Sequence, residues 1–157
     1  MGQTKIEKLD GEGLRNLNAM LTELYGRSHG SADDETAIKV KIGSFTCPAA
    51  TGNYTVTEVG FKPRVVEFIV GKYSTTDNYY SIGWMDYNGN QRMIGGGTSG
   101  ATTTLFKTNT GTGIITIPAP GDSYYVSATY VSMDSDGFTI NFSNVNTGFT
   151  ISWKAVR

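Results

Sequence analysis

Beyond residue 37, no stretch of this chain goes far without a turn residue. Short runs rich in Val, Ile, Thr, Tyr and Phe are cut apart by Gly, Asn, Asp and Pro. A helix needs an apolar stripe sustained over several turns, whereas a strand needs only a short alternating run. The runs "AIKVKIGSF", "NYTVTEVG", "RVVEFIVG", "NYYSIGWMDY", "NQRMIGG", "TTTLFKT", "GIITIP", "YYVSATYVSM", "FTINFS" and "FTISWKAV" read as about nine or ten short strands. In the first, Ile38, Val40 and Ile42 share one face and Lys39 and Lys41 the other, the pattern of a half-buried antiparallel strand. Asn88-Gly89 signals a hairpin, because both residues tolerate positive φ. Regular short strands predict a β-sandwich or barrel, and a mainly β, jelly-roll-like antiparallel β-sandwich is the expected fold. Composition points the same way: 20 Gly, 9 Tyr and only 17% charged residues in 157 favour sheet over helix.

The stretch "GFKPRVVEF", residues 60–68, places two cations beside a proline just before an apolar run. Gly60 suits a turn out of the preceding strand, and Pro63 suits strand entry, where its missing N–H costs little. Phe61 is expected to tuck under the sandwich. Val66, Phe68 and Val70 then share one face, and Val65, Glu67 and Ile69 the other. Lys62 and Arg64 read as solvated charges rather than ligand-seeking ones.

The front of the chain has a different period. Leu14, Leu17, Leu21 and Leu24 are spaced three, four, three, which puts them on one stripe of a short N-terminal α-helix. Asp10 suits its N-cap, Glu12 its first turn and Gly26 its end. Three to four turns are too short to stand alone in water, so the stripe must be buried. It can pack on its own β-domain, or on symmetry mates or a partner protein. The polar stretch "GRSHGSADDETA" has no reason to pack. The expected organisation is a helical anchor or oligomerisation arm over 1–30, a linker over 31–37 and a β-sandwich over 38–157.

A net charge of -1 argues against a nucleic-acid partner, since phosphate binding needs a basic surface. No run is long and apolar enough for a membrane span, and no signal peptide is expected. Cys47 is the only cysteine and reads as a small residue near a strand end. The only histidine, His29, falls in the polar stretch, away from any nucleophile. No pair among Glu58, Glu67, Asp77, Asp86, Asp122, Asp134 and Asp136 stands out as a catalytic couple. "DSDG", residues 134–137, starts like a calcium loop but lacks the later ligands, and reads as a turn. No enzyme, catalytic residue, metal site or cofactor is expected. What remains is aromatic surface. Tyr73, Tyr79, Tyr80, Trp84 and Tyr87 gather around one hairpin, and Tyr124, Tyr125 and Tyr130 on another strand. Tyr79, Tyr80, Trp84, Asp86 and Tyr87 form the candidate ligand set, because sugar rings stack on aromatics and need polar partners for their hydroxyls. The alternative is that alternate aromatics fill the core and the others stiffen strands.

Three segments together resemble virion proteins of tailed bacteriophages. "VTEVGFKPRVVEFIV" is similar to a turn, "GF", "P" and β-rich run of tail and fibre proteins. "MDSDGFTINFS" followed by "ISWKAVR" resembles the terminal strands of such domains, with Trp153, Lys154 and Ala155 as the last element. "LRNLNAMLTELYG" resembles their short leading helices. The resemblance implies a tail-fibre or spike-like component, typically homotrimeric. It would be assembled in the host cytoplasm into the virion, bound to other virion proteins through its arm and often to host-surface carbohydrate. A capsid decoration or connector protein is the alternative it leaves open. The family pattern brings no catalytic residues.

Overall fold

The computed structural model describes residues 16, 19–20, 37–73, 76–100, 103–109, 112–119 and 123–157, with 103–109 described for their backbone. The chain divides after Ala37, and the unit Ile38–Arg157 is described here. Leu14, Leu17, Leu21 and Leu24, and with them most of the expected anchor helix, lie outside the described residues.

Ten strands follow one another: β1 (Val40–Thr46), β2 (Gly52–Val56), β3 (Val65–Tyr73), β4 (Asn78–Asp86), β5 (Gln91–Ser99), β6 (Thr103–Asn109), β7 (Ile115–Ala119), β8 (Ser123–Asp134), β9 (Gly137–Asn144) and β10 (Thr150–Val156). They form two sheets, ordered β1-β10-β3-β4-β5-β6 and β2-β9-β8-β7. Every pairing is antiparallel. The protein is therefore mainly β and sandwich-like. The first two strands pair with the last two, β1 with β10 and β2 with β9, while β3–β6 and β7–β9 run as successive hairpins.

The core lies between the sheets. Strand alternation sends Val66, Phe68 and Val70 inward from β3, and Ile151, Trp153 and Ala155 from β10. Phe138, Ile140 and Phe142 meet them from β9. Phe138 joins the layers, with its ring edge-on to Phe68 at 5.6 Å and to Trp153 at 5.5 Å.

β7 is the last strand of its sheet, yet all five of its residues are buried. β4 and β5 cover it, and glycine makes this approach feasible. A Cβ on Gly83 would collide with the Ile114 carbonyl, and one on Gly95 with the Thr116 carbonyl. The Thr116 N–H donates to Ser81 Oγ at 3.0 Å, so this inserted edge is partly satisfied from the facing sheet.

The segment before β3 is a docked turn. Val59, Phe61 and Pro63 are buried, while Lys62 and Arg64 are exposed. Glu58 and Gly60 take φ of 66° and 84°. Asp136, in the β8–β9 turn, holds the loop in place. Its carboxylate accepts the Glu58 and Gly60 N–H groups at 3.1 and 2.6 Å, and its carbonyl accepts Val59 N–H at 3.1 Å.

β1 reverses its expected faces: Ile38, Val40 and Ile42 are exposed. Phe45 has the opposite parity and wins the inward position, stacking on Tyr54 at 4.5 Å and meeting Phe142 edge-on. Gly43 shares that inward face, where the Trp153 indole lies across it.

Candidate functional site

The two outer faces differ in chemistry. On the four-stranded sheet, Asn141 Nδ2 donates to Asn53 Oδ1 at 2.8 Å, and the Thr55 and Thr139 hydroxyls meet at 2.9 Å. The Ser127 and Ser143 hydroxyls meet at 2.6 Å. This is a polar surface that water and its own ladder satisfy.

The outer face of the six-stranded sheet carries an apolar row flanked by charged residues. The register places Ile69 beside Ile82 and Ile82 beside Ile94, a row of three isoleucines on neighbouring strands. Ile42, Ile69 and Ile82 are 71%, 62% and 52% exposed. Trp84 stands on one side of the row, between Glu67 and Arg92. Tyr80 stands on the other, between Gly71 and Gly96. Lys154 Nζ reaches Glu67 Oε2 at 2.9 Å. A hollow of about 220 Å³ is lined by Ile42, Glu67, Ile69, Ser152, Trp153 and Lys154. Monomers rarely leave so continuous an apolar patch in water, and such patches mark contact surfaces.

The aromatic set expected to bind a ligand is dispersed by this geometry. Tyr80 and Trp84 project from the outer face, whereas Tyr79 projects inward and is 6% exposed. Tyr87 is exposed in the β4–β5 turn, at the far end of β4 from Tyr79. Asp86 belongs to that turn. It accepts the Asn88 and Asn90 N–H groups and the Asn90 side-chain amide, each at 2.9 Å. The Asn90 carboxamide, ahead of the two backbone amides, holds the Asp86 carboxyl below the usual carboxylate range. Gly89 has φ of 83° and Asn88 is not left-handed, so the loop is a type I turn closed by a glycine bulge.

Nucleophilic chemistry finds no support at Cys47. Its side chain is buried in the core, and burial pushes the thiol up, away from the reactive thiolate. The carboxylates of "DSDG" are engaged: Asp134 accepts the Ser132 and Thr139 hydroxyls at 2.8 and 2.7 Å, and Asp136 holds the Glu58–Gly60 loop. Among the described residues no group of three His, Cys, Asp or Glu is placed to hold a metal ion, and no helix is long and apolar enough to cross a membrane.

Sequence reasoning missed the apolar face because Ile42, Ile69, Ile82 and Ile94 fall in four separate runs. Only the strand order puts three of them side by side. The available signal was "RVVEFIVG", which is apolar on both of its faces, as strands covered on both sides are.

No protein-family model matches the chain, and no curated protein or solved structure is detectably similar to it.

Proposed function

We propose that this chain is a virion structural protein of a tailed bacteriophage, a tail-fibre or spike-like component that works as a homotrimer and displays its sandwich on the particle. The resemblance of "VTEVGFKPRVVEFIV" and "MDSDGFTINFS" supports the family. The β1–β10 and β2–β9 pairings support a jelly-roll-like wrap at the ends of the chain.

The observation that carries the assembly role is the contrast between the outer faces. Strands lie about 4.8 Å apart and rise about 3.3 Å per residue, so a six-stranded face whose strands run seven to nine residues measures roughly 24 by 26 Å. That is about 600 Å² a side, against the roughly 800 Å² per partner of a standard specific interface. Burying Ile42, Ile69, Ile82, Ile94, Tyr80 and Trp84 between copies would remove them from water.

Light scattering on the full chain tests this reading. The expected mass is that of a trimer, and the double variant I69K/I82K is expected to run as a folded monomer with an unchanged far-ultraviolet spectrum. A monomeric wild-type chain, or a double variant that still associates, removes the assembly role of this face.

A decoration or connector protein without a ligand is the second reading. It is favoured by one observation: Asp86 is committed to its own turn and Tyr79 to the interior, which depletes the expected sugar-binding set.

A further inference from the structure

The turn between β4 and β5 carries chemistry of its own. Asn88 is the only asparagine of the chain that precedes a glycine. An asparagine's carboxamide carbon lies where the next backbone nitrogen can close a five-membered ring on it. A side chain on that next residue crowds the approach, and glycine leaves it open. Asn88 is exposed and Gly89 half-buried, so water reaches both reacting groups.

The closed turn restrains this reaction. Gly89 N–H donates to the Asp86 carbonyl at 3.0 Å, which ties up the attacking nitrogen. The Asp86 carboxylate keeps the loop shut by accepting the Asn88 and Asn90 N–H groups, each at 2.9 Å. Attack therefore waits for the turn to open, and an exposed hairpin end opens far more readily than the whole fold. We propose that Asn88 is a self-modification site, converting to aspartate or isoaspartate at a rate set by opening of the Asp86 turn, and that conversion unlatches this hairpin from its neighbours.

The Gly89 nitrogen gives its proton to hydroxide and bonds to the Asn88 side-chain carbonyl carbon. The carboxamide C–N bond breaks, its nitrogen takes up a proton, and ammonia leaves behind a succinimide. Water then opens the ring. Cleavage at the side-chain carbonyl leaves an aspartate. Cleavage at the former peptide carbonyl leaves an isoaspartate, with one more carbon in the main chain. One water is consumed, one ammonia is released, and nothing is oxidised or reduced. Asp136-Gly137 has the same spacing without the same fate. Its carboxylate is a poorer electrophile and holds the Glu58 and Gly60 N–H groups, and Gly137 is pressed against the Val56 carbonyl.

Both products disturb the turn. Aspartate puts a second carboxylate beside that of Asp86. Isoaspartate lengthens a loop whose register is fixed by the bonds from Gly89 and Asn90 to Asp86. The turn is also a joint between layers. Tyr87 N–H donates to the Arg64 carbonyl at 2.9 Å, ahead of β3, and Gly89 faces the Tyr130 ring of β8. Beside it, Gln91 Oε1 accepts Tyr130 N–H at 3.0 Å. A change at residue 88 is thus felt in both sheets. The site stands apart from the assembly and display readings.

Peptide mapping by mass spectrometry tests it, on the full chain held for weeks at body temperature in mildly alkaline buffer. The Asn88 peptide is expected to gain about 1 Da and to contain isoaspartate, ahead of every other asparagine. Asp86→Asn should speed conversion about threefold in the folded chain and leave it unchanged in urea, where there is no turn to open. Converted chain, separated by anion exchange, should unfold at lower urea than unconverted chain. Asn88→Gln, whose longer side chain does not close the five-membered ring, should keep both its mass and the wild-type midpoint. An Asn88 that stays intact while the unfolded chain converts overturns the site. An Asp86→Asn rate equal to wild type overturns the turn as gate, and an unchanged midpoint after conversion overturns the unlatching.

Discussion

Removing the charge at Asp86 takes an acceptor from three donors of its own hairpin. The turn is open to water, so Asp86→Asn is expected to cost only about 0.5–1 kcal/mol at neutral pH. The sign of its pH dependence follows from a carboxyl lowered on folding. Such a group adds stability above its unfolded pKa of about 3.9 and loses it as pH falls through the lower folded value. Urea titrations of wild type and Asp86→Asn should therefore converge from pH 5 toward pH 2. A gap that widens on acidification would contradict the assignment of Asp86 to the turn. Asp136 does comparable work across the fold. Asp136→Ala leaves the Glu58 and Gly60 amides without their acceptor and should cost about 1–2 kcal/mol in the same titration. Cys47 is expected to react with a thiol reagent only as the chain unfolds, because its side chain is sealed in the core. Fast labelling of the native protein would show a core more open than this one.

At the scale of elements, glycine decides how closely the sheets approach. Gly83 and Gly95 face the backbone of β7 and of Ile114 just before it, where a methyl group would strike the Ile114 and Thr116 carbonyls. Gly83→Ala and Gly95→Ala are each expected to cost about 2 kcal/mol or more, because backbone cannot move aside as a flexible side chain can. Gly71 is the control. An added Cβ there comes only to 3.9 Å from the Tyr79 carbonyl, so Gly71→Ala should stay within about 0.5 kcal/mol of wild type. Equal losses at all three sites would mean that the close approach of β7 is not what these glycines serve. The same scale shows what could be read from the sequence. Strand runs and their turns were legible because alternation and turn chemistry are local: β3 sends Val66, Phe68 and Val70 inward as its pattern reads. β1 misled, because three aliphatics outvote one aromatic in a count, whereas Phe45 fits the core beside Tyr54. The candidate ligand set was half legible. Tyr80 and Trp84 do stand on the outer face, but Tyr79 has the opposite parity and packs inside against Tyr125 and Phe149, a contact that depends on pairing between distant strands.

The described sandwich presents a polar outer face on one sheet and an exposed isoleucine row on the other, in a chain of net charge -1. Little charge repulsion opposes association, so copies should meet through the isoleucine row whenever it is free. The leucine stripe at Leu14, Leu17, Leu21 and Leu24 offers a second route to assembly, and truncation separates the two. A chain lacking residues 1–30 keeps every named core residue, since these run from Cys47 to Ala155. It is expected to unfold cooperatively, with its sheet signal intact. If the apolar face is the contact, the truncated chain still associates, and its melting temperature rises with protein concentration, as mass action requires of a species that is oligomeric only when folded. Adding I69K/I82K to the truncated chain should abolish that dependence. On the proposed virion role, the arm would then serve attachment to the particle, and the truncated oligomer should fail to be incorporated. A truncated chain that is monomeric and melts independently of concentration would instead transfer assembly to the leucine stripe. The isoleucine row would then be left to cover a different protein rather than a copy of this one.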